Sequence, residues 1–191
     1  TLLIFDEIIT GFRFSLGGAQ ELYGASPDLS CFGKSLGNGM PISAVVGTDK
    51  HMDASGGNSL GVTYTGSPVS CAATLAVLQV FEEENILEKS QALGEKLAAR
   101  FNEWQGKFDC IDHVRNMGAM AAFELVNNKT DRTPNPDLAA ALCKKAREEG
   151  LILLSCGMYG NTIRFLMPVT IQDDVLNEGL DIIESCLESL T

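Results

Sequence analysis

The chain has 191 residues, 45% hydrophobic and 20% charged, an ordinary globular composition with enough apolar side chains for one large or two small cores. Its 25 acidic against 14 basic residues give a net charge of −11 and a pI near 4.5, which argues against nucleic acid and membrane surfaces as partners. Six cysteines without a C-x-x-C pair, and His51 and His113 without ligand-like neighbours, offer no metal framework; the expectation is reduced thiols, no metal and a cytoplasmic setting.

Leu2, Leu3, Ile4 and Phe5 form a continuous apolar run, as in a strand buried on both faces, and stop at Asp6-Glu7. The chain opens inside this strand with no Met, polar lead-in or cap, so it is expected to be the C-terminal part of a longer polypeptide. Residues 8–18 are loop-like, and 19–23 form a short helix ended by Gly24. After the turn signal Ser26-Pro27-Asp28, residues 29–32 make a second strand that runs into the glycine-rich Gly33-Lys34-Ser35-Leu36-Gly37-Asn38-Gly39. Residues 41–47 read as a third buried strand, and the Gly/Ser/Asn stretch 55–61 as a mobile or ligand-facing loop.

Ser67 as N-cap and Pro68 at the first position open a helix striped by Val69, Ala72, Ala73, Ala76, Val77 and Val80. Glu82-Glu83-Glu84-Asn85 closes it as a solvated run, and Ile86, Leu93, Leu97 and Phe101 stripe a second helix. Beyond it, strands are expected at 108–114, 119–126, 151–155 and 162–166, with a polar loop at 127–136, a helix stopped by Gly150 and a final helix striped by Ile182, Ile183, Cys186, Leu187 and Leu190. The chain thus divides at 85/86 into part of an α/β domain and a self-contained α+β unit.

The chemistry candidates lie where strands one and two end, since open α/β sheets bind ligands beyond their carboxyl ends. A lysine in a glycine-rich loop after a buried strand reads as a phosphate-loop lysine or a Schiff-base lysine. The first fails on spacing: the phosphate loop needs glycine where Asp28 stands, although Gly33-Lys34-Ser35 supplies its tail. The second asks for a carboxylate that keeps a pyridinium nitrogen protonated, and Asp6 at the neighbouring strand end can serve.

LLIFDEIITGFR, then PDLSCFGKSLGNGMPISAVVG, then TYTGSPVSCAATLAVL resembles the class III aminotransferases of fold type I, collinearly over nearly the whole chain. The resemblance implies the C-terminal portion of a fold type I α/β transferase: residues 1–85 part of the large, parallel-sheet domain that binds pyridoxal 5'-phosphate, and 86–191 the small C-terminal domain. It implies Lys34 as covalent cofactor anchor and catalytic base, Asp6 as partner of the pyridine nitrogen and Ile8 against the ring face. Thr63 would reach the cofactor phosphate of the other subunit of a homodimer whose cofactor sites lie at the interface. Amino acid and 2-oxo acid substrates would exchange an amino group by ping-pong transamination.

Within the family, FDEIITGFRFSLGGAQELYGASPDL is similar to glutamate-1-semialdehyde aminomutase, whereas GLILLSCGMYGNTIRFLMPVTIQDD resembles 4-aminobutyrate aminotransferase. In the latter the arginine at the position of Arg164 binds a substrate carboxylate, which suits a planar guanidinium fork. The tail carries this specificity residue, so an ω-amino acid aminotransferase is the expectation and the aminomutase the alternative. A phosphate loop and a ring-stacking aromatic of the family precede the region matched here; a polypeptide beginning at Thr1 would bind the cofactor weakly and act as an inactive fragment. Plainer roles stand beside each assignment: Asp6 a cap or surface carboxylate, Lys34 a solvated amine, Ile8 core, Thr63 a turn hydroxyl, and Arg164 a bridge to Glu124.

Overall fold

The computed structural model describes residues 1–55 and 63–191. The 55–61 loop therefore lies, but for the backbone of Ser55, outside the described residues. Backbone contacts divide the chain into two compact units, Thr1–Glu88 and Lys89–Thr191.

In the first unit, β1 (Ile4–Asp6) is followed by the short α1 (Ala19–Leu22), β2 (Leu29–Phe32), a single 3-10 turn at Lys34–Leu36 and β3 (Ala44–Gly47). The sheet has the order β1-β2-β3. It is mixed: β1 and β2 run parallel with Asp6 opposite Cys31, as in the expected parallel-sheet domain, while β3 returns antiparallel to β2. The 11 residues between Phe32 and Ala44 fall short of the roughly dozen or more that a parallel crossover needs.

The expectation that the first strand is buried on both faces also fails. Ile4 is 57% exposed, and Leu2, Leu3, Val45 and Val46 are about as open. An apolar run reports that burial would be favourable, and a covering layer has to be supplied separately. Polar ties hold this sheet beside the edge-on ring contacts of Phe12 with Phe32 and Phe81. The Asp28 carboxylate accepts from Leu3 N at 2.8 Å, and Asp28 N donates to the Leu3 carbonyl at 2.8 Å, locking β1 to the entrance of β2.

Two further helices, α2 (Asp49–Met52) and α3 (Pro68–Glu83), complete the unit. Pro68 opens α3 where its missing N–H costs nothing, but the Ser67 hydroxyl makes no capping bond, so Ser67 is a cap by position only. Val69 and Leu75 project from α3 into solvent.

The long α4 (Ile86–Lys107) starts at the unit division and supplies Leu93, Leu97, Phe101 and Trp104 to the core of the second unit. There β4 (Ile111–Met117), β5 (Met120–Leu125), α5 (Pro136–Glu148), β6 (Leu154–Cys156), β7 (Thr162–Phe165) and α6 (Asp173–Leu190) follow. The sheet order is β4-β5-β7-β6, antiparallel throughout. Two strands sit later than their apolar runs: β4 runs through Arg115 to Met117 because its partner β5 continues to Met120, and β6 begins at Leu154 rather than at residue 151. Pairing defines a strand, and a hydrophobic run marks only where pairing is favourable.

Alternation along β5 and β7 sends Phe123, Leu125, Ile163 and Phe165 into the core. Phe101 stacks on Trp104 at a centroid distance of 5.5 Å and meets Phe123 edge-on at 5.3 Å. The Trp104 indole N–H is satisfied by Glu184 on α6 at 3.0 Å, and the same carboxylate takes Arg100 at 2.8 Å and Lys107 at 2.6 Å. These bonds clamp α6 onto α4. Gly94 completes the packing of α4, since a Cβ there would lie 2.2 Å from the Gly118 carbonyl oxygen in the β4–β5 turn.

Candidate functional site

The parallel register of β1 and β2 brings both carboxyl ends to one edge of the first sheet, and Asp6 and Lys34 follow from it. Asp6 is the last residue of β1; it is exposed, and its one hydrogen bond among the described residues comes from Ile8 N, at 3.1 Å to Oδ1. Lys34 opens the 3-10 turn directly after Gly33, is exposed, and makes no side-chain hydrogen bond or ion pair among the described residues. Its φ of 45° is a left-handed conformation uncommon for lysine, and such backbone strain clusters where side chains are aimed at ligands.

Ile8 belongs to the same edge. Its Cγ2 lies 3.6 Å from where a Cβ on Gly33 would be, so the isoleucine sits against the backbone beside Lys34. It is half-buried rather than a core residue.

The loop after β1 is pinned from below by Glu7, a residue the sequence reading passed over. Its carboxylate is 1% exposed and accepts from Ala19 N and Gln20 N at 2.8 Å each, and from the Thr10 hydroxyl. It thereby satisfies free N–H groups at the start of α1. Gly18 must be glycine here, because its φ is 76° and a Cβ would come within 2.1 Å of Glu7 Oε2. The signal in the sequence was a second acid beside Asp6 and a Gly-Gly pair just before the short helix. Asp6 closes β1 exposed while Glu7 turns inward to the amides of Ala19 and Gln20, so the pair splits into one exposed and one buried carboxylate.

Thr63 lies in the turn at 63–66 and is exposed, its hydroxyl without a described partner.

Arg164 belongs to the second unit, at the centre of β7, opposite Ala122 on β5 and Leu154 on β6. The bridge to Glu124 that the sequence suggested does not form. Glu124 Oε1 instead accepts from Arg115 Nη1 at 2.7 Å, and Arg164 makes no ion pair or side-chain hydrogen bond among the described residues. Arg164 lines a groove of about 320 Å³ whose other walls are apolar, among them Leu154, Met167, Val175 and Ile183. Arg164 is half-buried and has no counterion among the described residues, an arrangement in which a guanidinium fork can take an incoming carboxylate. His51 is held by Thr48 Oγ1 at 3.0 Å, and His113 belongs to the Arg115–Glu124 group.

Residues 1–187 match the family described as aminotransferase class-III. The chain is 51% identical over 190 residues to the 5-aminovalerate aminotransferase DavT of Pseudomonas aeruginosa, covering 99% of this chain and 45% of that protein. It is 43% identical to the 4-aminobutyrate aminotransferase GabT of Escherichia coli, over 98% of this chain and 44% of the relative. Among solved structures, a phospholyase from Arthrobacter in complex with phosphoethanolamine superposes with a TM-score of 0.90 at 30% identity, covering all of this chain and 46% of that one. A Bacillus anthracis aminotransferase gives 0.87 at 27% identity, over 98% of this chain and 45% of its own. The chain thus spans less than half the length of the proteins it matches.

Proposed function

The chain belongs to the class III aminotransferases, a family dependent on pyridoxal phosphate, and on that premise we propose that it carries the lysine, the ring-nitrogen carboxylate and the substrate arginine of an ω-amino acid aminotransferase. The amino group would pass from 4-aminobutyrate or 5-aminovalerate to a 2-oxo acid, the substrates after which the relatives above are named. Residues 1–85 are then part of the large cofactor-binding domain and 86–191 the small domain. The protein is proposed to work as a cytoplasmic homodimer with its cofactor site at the subunit interface; no helix among the described residues is long and apolar enough to cross a membrane.

The observation that carries the reading is the pair of side chains at one sheet edge, an amine and a carboxylate that neighbouring side chains leave unengaged. That donor set suits the group: a primary amine for its aldehyde, an anion for its ring nitrogen, and a branched apolar side chain, Ile8, against Gly33. When bound, the cofactor supplies an electron sink for a carbanion on the substrate. The Asp6 carboxylate would hold a proton on the ring nitrogen by charge attraction. Ile8 would pack on the ring face, and the Thr63 hydroxyl would donate to the cofactor phosphate in the other subunit. Lys34 Nζ would be the covalent anchor of the cofactor and, when free, the base that moves a substrate proton. Arg164 holds the far carboxylate of the substrate with its guanidinium fork.

Spectrophotometric titration with pyridoxal phosphate tests the site, and saturable binding with a shifted absorbance that Lys34→Ala abolishes is expected. Absence of any shift in the unaltered protein would favour an inactive fragment. Assay of 4-aminobutyrate and 5-aminovalerate with 2-oxoglutarate, beside glutamate-1-semialdehyde, tests the substrate; turnover of the semialdehyde alone would make the protein an aminomutase.

A further inference from the structure

Arg115, Ala122, Arg164 and Leu154 stand opposite one another across β4, β5, β7 and β6, so their side chains share one face of the second sheet. Glu124 lies two residues along β5 from Ala122, on the same face and diagonal to both arginines, a separation of about 7–8 Å that long side chains span. One carboxylate is thus within register reach of two guanidiniums, with only the Ala122 methyl between them. Arg115 takes it. Its Nη1 lies 2.7 Å from Glu124 Oε1, 2.9 Å from His113 Nδ1 and 3.2 Å from the His113 carbonyl oxygen.

The arrangement is built into the strand. β4 slips register between Asp112 and Arg115, and His113 takes a φ of 43° there, so the extra residue of the bulge brings its ring and carbonyl to the Arg115 guanidinium. The other acid on this face beside Glu124, Asp112, is occupied by Arg132 at 3.0 Å. Arg164 is left without a side-chain hydrogen bond or ion pair among the described residues.

We propose that Arg115 is a positioning residue that holds Glu124 away from Arg164 and so keeps Arg164 open to a substrate carboxylate. The inference rests on the reading of Arg164 as the carboxylate contact. A tethered carboxylate two residues from the strand position facing Arg164 competes with a diffusing one through its high effective concentration. Losing Arg115 releases that competitor.

Glutarate, a dicarboxylate that carries no amino group to transfer, is the probe, and its dissociation constant from the holoenzyme is measured by titration calorimetry, with melting temperatures confirming that each variant folds. Arg115→Met is expected to weaken glutarate by about three- to fivefold, the scale of one partly exposed ion pair. Removing the released acid as well, in Arg115→Met with Glu124→Gln, restores the affinity, and Glu124→Gln alone binds at least as tightly as the unaltered protein. Arg115→Met with Asp112→Asn restores the same net charge but leaves Glu124 free, and stays weak. In turnover, Arg115→Met raises KM for 4-aminobutyrate but not for n-butylamine, which has no carboxylate.

Unchanged binding in Arg115→Met, or equal rescue by Asp112→Asn and Glu124→Gln, would overturn the inference while leaving Arg164 its role. Equal binding to Arg164→Met, or none to the unaltered protein, removes the reading of Arg164 and the inference with it.

Discussion

In residues 89–191, Phe101, Trp104 and Phe123 have no exposed surface, whereas in residues 1–88 Ile4, Val45, Val46 and Leu75 leave more than half of theirs open. Both halves carry apolar strands and a striped helix. They differ in what those stripes meet: the second unit closes three helices over one face of an antiparallel sheet, while the first is a largely open three-stranded sheet tied by Asp28 and touched by the Phe32–Phe12–Phe81 ring contacts. Its proposed catalytic groups sit at the ends of strands with open apolar faces, and the proposed substrate arginine sits on a sheet backed by a dense core. A firmly packed scaffold fixes a guanidinium in place, and a hydrogen-bonded loop aims an amine at a ligand that must come and go.

The largest effect should come from the first unit without touching its stability. Lys34→Ala is expected to cut turnover of the holoenzyme by at least a hundred- to ten-thousandfold, the contribution of a positioned proton-transfer group, with the melting temperature kept. A large loss of stability would mean that Lys34 holds the fold, against its exposed position.

In the second unit the effects should be on stability. Trp104→Ala removes a fully buried indole and strips Glu184 of one donor, and is expected to destabilise by about 3–5 kcal/mol in urea titrations. Gly94→Ala forces a methyl group onto the Gly118 carbonyl and should lose about 1–3 kcal/mol, read as a lowered urea midpoint with an unchanged slope.

The clamp between α4 and α6 should give that unit an acid-sensitive component. Hydrogen bonds from Lys107 and then Trp104 hold the Glu184 carboxyl below its ordinary range, so its contribution is complete above the unfolded carboxylate range and fades as pH falls through the lower folded value. Urea midpoints between pH 6 and pH 3 should fall less for Glu184→Gln than for the unaltered chain.

The smallest effect is expected where the comparison is sharpest: Leu75→Gln, on an exposed helix face, should change stability by no more than about 0.5 kcal/mol in the 191-residue chain. A Leu75 loss as large as that of Trp104 would erase the distinction between the two units.

Much of this was legible in the residues. Asp6 and Lys34 announced themselves as charges at the ends of two apolar runs, Pro68 marked the start of α3, and the stripe of Leu93, Leu97 and Phe101 gave α4 its buried face. Local pattern suffices there because strand ends, helix starts and helical faces are set within a few residues of chain. Glu7 stayed hidden because its partners, the amides of Ala19 and Gln20, are backbone groups that no side-chain pattern reports.

The sequence by itself determined the order of elements, the family motif around Lys34 and the candidacy of Arg164. Only the tertiary structure decided that β3 returns antiparallel, that the first strand lies open, and that Glu124 pairs with Arg115 instead of Arg164. The reason is register. Glu124 is diagonal to both arginines on one sheet face, and the choice between them turns on a one-residue bulge at His113, a property of how two strands pair that neither strand carries alone.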